Sequence, residues 1–489
     1  MNTVAAIVTL AQAQVEELTG QLALDSSIIG ELYFFISLPI MWLIHVGFLL
    51  YEGGVSRRKN VMATVFKNFL TIAVVTPTFY YLGWWIYGCF QTGGLSGADG
   101  PENNEALAGF CGATYPWSTL SGGRFDDHIQ IIFLLAFIIF SWVTGSIFSG
   151  AVIERIRLSS YLVLTAILGS VVWIMAASWG WSTGWLTEKY GYHDAAAGGI
   201  VHAVAGFFAI GVLLNLGPRI GKYDIRGRVR AFRPHNLHLT MAGLMLIYTG
   251  FYGFFMACIA ITSTTFPGWF AIYGTPTSLS VFAATLTFGL SGGFIGGYFG
   301  SKGDPYWTMA GGIAGGISTS AGADIYHPTL AWLVGIAGAY TAVSAGNWLE
   351  RKARVDDAVG AWAIHGYCGI FGVLFVGIFL GGYPTGINSV PTSFGGQLMG
   401  TMVIISMSFL AGWGASYALK KANLLRVPPE VELEGLDIAE FQQDFFPQFE
   451  TGPETVVLPT GEEVDSREIL MDDWMRTNGR AAPTRVTEP

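Results

Sequence analysis

Eleven stretches of this chain stay apolar for about 20 residues at a time, and that pattern restricts the fold more than any other feature. They run over about 29–51, 62–90, 128–150, 158–181, 196–216, 236–262, 277–300, 307–322, 328–347, 358–381 and 394–419 of 489 residues. A segment of this length crosses the hydrocarbon core as a helix, because only there are all its backbone polar groups paired internally. The whole chain is 52% hydrophobic and only 12% charged, against about 25% charged in a soluble domain. Its 65 glycines suit close packing of membrane helices. The eighth stretch, "MAGGIAGGISTSAGA", is short and rich in Gly and Ala, as a helix packed tightly inside a bundle would be. The expected fold is an all-α polytopic membrane protein of eleven transmembrane helices.

The loops set the orientation. "GGVSRRKN", "ERIRLSS", "GPRIGKYDIRGRVRAFRPHN", "GSKGDPYW", "LERKARVDD" and "LKKANLLR" hold nearly all the basic residues outside the tail, whereas the alternate loops contain only Arg124 and Lys189. Positive loops stay inside. The N-terminus is therefore expected outside and the C-terminus inside, as an odd number of spans requires. Residues 422–489 hold 15 of the 34 acids and five basic residues, which leaves 19 acids against 20 Lys/Arg before them. The net charge of −9 thus belongs to a tail and gives no sign of a nucleic-acid partner. The domains expected are an external segment 1–28, a membrane domain 29–421 and an acidic inner tail 422–489, polar and proline-punctuated as flexible segments are.

Cys258 and Cys368 lie within apolar spans, and Cys89 and Cys111 flank one polar loop. If that loop faces an oxidising compartment, a Cys89–Cys111 disulfide is open to it; two unpaired thiols are the alternative. The N-terminal "MNTVAAIVTLAQAQ" has an apolar core and lacks the basic n-region of a signal peptide.

Two stretches echo each other. "GGIVHAVAG" and "WAIHGYCG" align as Asp-x7-His-x3-Gly, with Asp194 before His202 and Asp357 before His365. They fall on spans five and ten. An odd offset of five inserts the second copy upside down, giving an inverted 5+5 helix pseudo-repeat plus an eleventh helix. Such repeats place a substrate site at their interface near mid-bilayer. There His202 and His365 would meet. A single intramembrane histidine is often a packing residue bonded to a carbonyl; a duplicated one points to function, since ionisable groups are costly there.

Seven segments in order carry a family likeness: "LYEGGVSRRKN", "GAVIERIRLSSYL", "WGWSTGWL", "DAAAGGIVHAVAG", "RPHNLHLTMAGLMLIYTGFYGFF", "RVDDAVGAWAIHGYCGIFGVLFVGIF" and "LLRVPPEVELEGLDIAEF". Through about residue 440 the chain resembles the ammonium transporter (Amt/Mep/Rh) family. The resemblance implies a homotrimer in which each subunit has its own pore, lined by twin histidines at His202 and His365. It implies a stacked aromatic gate at Phe140 and Phe254, and an external cation site walled by Trp181. It makes Asp194 a structural acid. It implies ammonium or ammonia as substrate, no cofactor or metal, no enzymatic reaction, and a multi-pass protein of the bacterial inner or plasma membrane. Residues 422–440 match the tail segment through which the family couples subunits and, in many bacteria, receives a P-II-type regulatory protein. The acidic residues beyond have no counterpart in that resemblance.

The residue types suit the task. Ammonium is nearly the size of potassium, so selectivity must use its N–H donors and its removable proton. An aromatic vestibule attracts the dehydrating cation through cation–π interaction. A dry pore below disfavours the charge and favours ammonia. Facing neutral imidazoles can share one hydrogen bond and offer ammonia both donor and acceptor sites. Asp194 and Asp357 are expected to anchor the starts of spans five and ten by accepting backbone N–H bonds; direct attraction of the cation by Asp194 is the alternative.

Several family positions are altered. Cys258 stands where a serine hydroxyl usually completes the external cation site, Phe255 replaces an asparagine, Gly360 replaces an aspartate five residues before His365, and Ala136 stands where an outer aromatic is common. His45 is an extra intramembrane histidine, read as a packing residue. Asp324 and His327 are read as capping groups, and Glu154–Arg157 and Arg354–Asp357 as inner-face charge pairs. Two rivals to a transporter share the scaffold: an ammonium sensor, and a passive gas channel for ammonia or carbon dioxide of the Rh type. A metalloenzyme using the two histidines would need a third ligand.

Overall fold

A computed structural model describes residues 2–90, 128–261 except 183 and 233, 269–443 except 273–274, 383, 386–389, together with 445, 455–457 and 463–465. The chain divides into two compact units, Met1–Leu436 and Asp437–Pro489. In the second, the described strands Thr455–Val457 and Glu463–Asp465 pair antiparallel.

The first unit is a helical bundle. Its long helices are α1 (Asn2–Val55), α2 (Val61–Thr78, continued through Phe79–Gly83 into Trp84–Cys89) and α3 (His128–Ala151). Next come α4 (Leu158–Ile167, continued through Leu168–Val172 into Trp173–Gly180), α5 (Gly198–Ala203 continued by Val204–Leu216) and α6 (Leu237–Ala257). The remainder are α7 (Leu279–Ser301), α8 (Pro305–Ser320), α9 (Pro328–Trp348), α10 (Trp362–Tyr367 continued by Cys368–Phe379) and α11 (Phe394–Lys421). Among the described residues ten of these segments are long and apolar enough to cross a membrane. The eleventh, α8, has 16 residues, in keeping with its short Gly/Ala-rich sequence. This is a multi-pass membrane protein.

Polar caps start the helices. Asp304 accepts the N–H of Trp307 at 3.0 Å with Pro305 in the first turn of α8, and the Asn236 side chain accepts that of Leu239 at 2.9 Å to start α6. Both use the N-terminal donors that a helix leaves open. His327 caps α9 by accepting from Thr329 at 3.2 Å, as expected from sequence. Asp324 bonds the buried His193 at 3.1 Å.

The basic loops gather at one end of the bundle. Glu154 pairs with Arg57 at 2.6 Å and Arg219 at 3.4 Å, and Asp356 pairs with Arg219 at 2.9 Å and Arg155 at 4.0 Å. The pairings expected from spacing, Glu154–Arg157 and Arg354–Asp357, are not those formed. Glu154 and Arg354 have φ of 71° and 55°, so the chain turns there and near neighbours in sequence point apart. Arg157 instead donates to the Arg426 carbonyl at 2.9 Å. Burial opposes charge on Glu154 and Asp356, but the neighbouring guanidiniums outweigh it and hold both carboxyls below their ordinary values. Arg155, wholly enclosed, is pushed down to about 10 by burial. Residues 422–436 belong to this unit: Glu432 accepts from Arg426 at 2.7 Å and from the Ile220 N–H at 2.6 Å.

Candidate functional site

His202 and His365 both sit in widened, π-type turns, Gly198–Ala203 and Trp362–Tyr367. Such turns displace one residue from the regular ladder and recur at functional sites. The two starts are built alike. Asp194 accepts the N–H groups of Gly198 at 2.7 Å and of Gly199 and Ile200 at 2.8 Å; Asp357 accepts that of Trp362 at 2.7 Å. Five residues before each histidine the backbone is left-handed, φ 64° at Ala197 and 69° at Gly360. Gly360 thus holds a conformation glycine adopts freely. The motif glycines explain how the helices cross. A methyl group on Gly206 would overlap Gly366, and one on Gly369 would overlap the Gly198 carbonyl, so α5 and α10 touch backbone to backbone.

That contact brings the imidazoles together. Their Nδ1 atoms are 3.0 Å apart and the ring centroids 5.2 Å apart at 24°. One Nδ1 must carry the hydrogen and the other accept it. The neutral rings are then opposite tautomers: one Nε2 is an acceptor, the other a donor. His202 Nε2 has no partner among the described residues.

Aromatic rings continue the site in both directions. Phe254 lies 5.6 Å from the His202 ring and meets Phe140 edge to face at 4.5 Å. Phe140 meets Trp181 at 5.9 Å, and the Trp181 indole N–H donates to the Asp194 carbonyl at 2.8 Å. On the other side Phe48 lies 6.0 Å from His365. Next comes Tyr51, whose hydroxyl is bonded to that of Tyr306. Tyr306, Trp307 and Asp357 line a cavity of about 730 Å³ at the basic end.

All the residues singled out as the twin pair, gate and external wall therefore fall on one column. Trp181, Phe140, Phe254 and Cys258 are all fully buried. Cys258 ends α6, its carbonyl accepting the Ile272 N–H at 3.0 Å. Phe137 was missed: one position past Ala136, it packs against Trp181 at 6.0 Å and Phe140 at 5.9 Å. A helix turns 100° per residue, and a lone Phe among 34 gave no signal. Tyr306 and Phe48 were missed for the same reason. His45 has both nitrogens engaged, with Asn68 O at 2.9 Å and Ser146 Oγ at 2.8 Å, as a packing histidine would. Cys89 is disulfide-bonded; the Cys89–Cys111 pairing itself lies outside the described residues through Cys111. Among the described residues no three His, Cys, Asp or Glu side chains are grouped as a metal ion would need.

Fold and site define a multi-pass helical membrane protein with a histidine pair buried where two interrupted helices cross. The chain matches the Ammonium Transporter Family over residues 32–446. It is 30% identical over 431 residues to ammonium transporter Amt2 of Archaeoglobus fulgidus, covering 84% of this chain and 86% of that one. It is 27% identical over 413 residues to ammonium transporter Amt1 of Methanocaldococcus jannaschii, covering 84% and 96%. In fold it is similar to a sensor Amt protein (TM-score 0.71, 23% identity, covering 85% and 98%). It is also similar to Candida albicans Mep2 (TM-score 0.65, 22% identity, covering 89% and 94%). The chain belongs to the ammonium transporter family.

Proposed function

We propose that the protein moves ammonium or ammonia across a membrane through a pore in each subunit lined by His202 and His365. One observation carries this: two buried imidazoles share a hydrogen bond inside an otherwise aromatic column. Such a pair gives ammonia a donor and an acceptor where a bare cation finds no compensating charge. Phe140 and Phe254 act as the gate, and Trp181 attracts the cation, with Cys258 in place of a hydroxyl. Asp194 has a structural role. Eleven helices, N-terminus out and C-terminus in, form the inverted 5+5 repeat. Three copies assemble as a homotrimer in a bacterial plasma membrane, and the segment 422–440 offers a P-II-type regulator its docking site.

A sensor is the second reading, favoured by the complete burial of Trp181 and Cys258, which suits a site that holds the cation. An ammonium pulse to bilayers holding pure protein separates the readings. Current together with ammonia flux supports electrogenic transport. Flux without current leaves the gas channel, and binding without flux leaves the sensor.

A further inference from the structure

Beside the pore lies a second buried polar assembly. Glu52, fully buried on α1, accepts from Asn68 Nδ2 at 3.1 Å and Ser149 Oγ at 2.7 Å, with Lys67 Nζ at 3.7 Å. Lys67 also donates to the Ser149 carbonyl at 2.8 Å. Two turns away on the same face of α1, His45 is held by Asn68 O and Ser146 Oγ. Residues 45 and 52 thus stitch α1 to α2 and α3 along one polar seam.

The neighbouring face of α1 is the pore wall. Phe48 packs on His365 at 6.0 Å, and Tyr51 meets Tyr306 and the Val359 carbonyl below it. A third face touches α6 through Gly47 against Gly243, and Gly54 against Thr240. A glycine contact allows close approach but supplies little rotational register. In an apolar medium, helix rotation is fixed by packing and by polar bonds. A buried ion pair is weak evidence for stability; its best-attested use is to specify register between the elements it joins.

We infer that the Glu52–Lys67 pair, with Asn68 and His45, fixes the rotation of α1 and thereby the position of Phe48 against His365, making Glu52 a positioning residue for the size selectivity of the pore. The inference rests on the pore reading above. The second oxygen of Glu52 has no partner among the described residues and lies beside Gly150 of α3, so removing the charge is felt at α3 as well as at Lys67.

Two measurements test it. In proteoliposomes, Glu52→Gln and Lys67→Met should each raise the methylammonium-to-ammonium flux ratio about fivefold, as coupled neighbours do. The double variant, which lacks the pair altogether, should keep the raised ratio and change it no further than either single; a return to the wild-type ratio would show that the pair does not set the position and overturn the inference. Both fluxes falling together at constant ratio would mean a merely structural role and overturn the inference. Independently of any flux, the structure of the Glu52→Gln variant should show the Phe48–His365 separation changed by about 1 Å, a displacement that matters at reacting distances. An unchanged separation overturns the inference even if ammonium transport is upheld. A shifted ring in a protein that moves no substrate upholds the positioning and removes the transport reading.

Discussion

The starts of α5 and α10 have the same parts in different surroundings. At α5 the carboxylate of Asp194 takes three backbone N–H groups, and Tyr192, His193 and Asp194 are fully buried. At α10 one oxygen of Asp357 takes the Trp362 N–H, the other has no partner among the described residues, and the residue opens on the basic-end cavity. The local geometry of the two starts is shared down to the left-handed residue five before the histidine. The difference lies in what surrounds them: buried aromatic neighbours at one end, a cavity with charged lining at the other. A motif copied within a chain thus specifies how a helix begins, and its neighbours decide what that beginning faces.

The sharpest break of this comparison is Asp194→Ala. It orphans three buried N–H groups and should cost about 3 kcal/mol or more, read as thermal unfolding in detergent. Asp357→Ala, at the wetter start, should cost about 1–2 kcal/mol; equal losses would mean the two starts are not differently solvated. Gly360→Ala should cost about 1 kcal/mol, since φ is 69° there and the left-handed region disfavours a side chain, and the new methyl meets the Trp307 ring. Ala197→Gly should be neutral or stabilising for the converse reason. Cys258→Ser should lower the half-saturating ammonium concentration about twofold to fivefold, the scale of one modest hydrogen bond. The smallest effect is expected at the basic end on mild acidification. Glu154 and Asp356 are held below their ordinary values, so their contribution is full above about pH 4 and is lost only as pH falls through the depressed values. Hydrogen-exchange protection at residues 152–157, taken relative to the intrinsic rate at each pH, should therefore be flat from pH 7 to about 5; a loss of protection within that range would contradict the pairing.

Much of this was legible in the sequence because the membrane simplifies the problem. Apolar length marks the helices, and a costly intramembrane histidine stands out. His202, His365 and Asp194 stand out in this way, and Phe140 and Phe254 through family motifs; the structure brings the five residues together. What stayed hidden depends on rotation and turning. Phe137 differs from Ala136 only by 100° around α3. Glu154 and Arg354 take left-handed turns that no neighbouring residue announces, which redirected their ion pairs. His193 binds Asp324 across 131 positions, a distance over which sequence spacing carries no information.

The shared Nδ1 hydrogen makes the two histidines one unit, and this is the claim on which the account stands. Ammonia flux into proteoliposomes should be measured for His202→Ala, His365→Ala and the double variant, each checked for folding. The account predicts the same large loss in all three, the double no worse than either single. Wild-type flux in either single variant would contradict it.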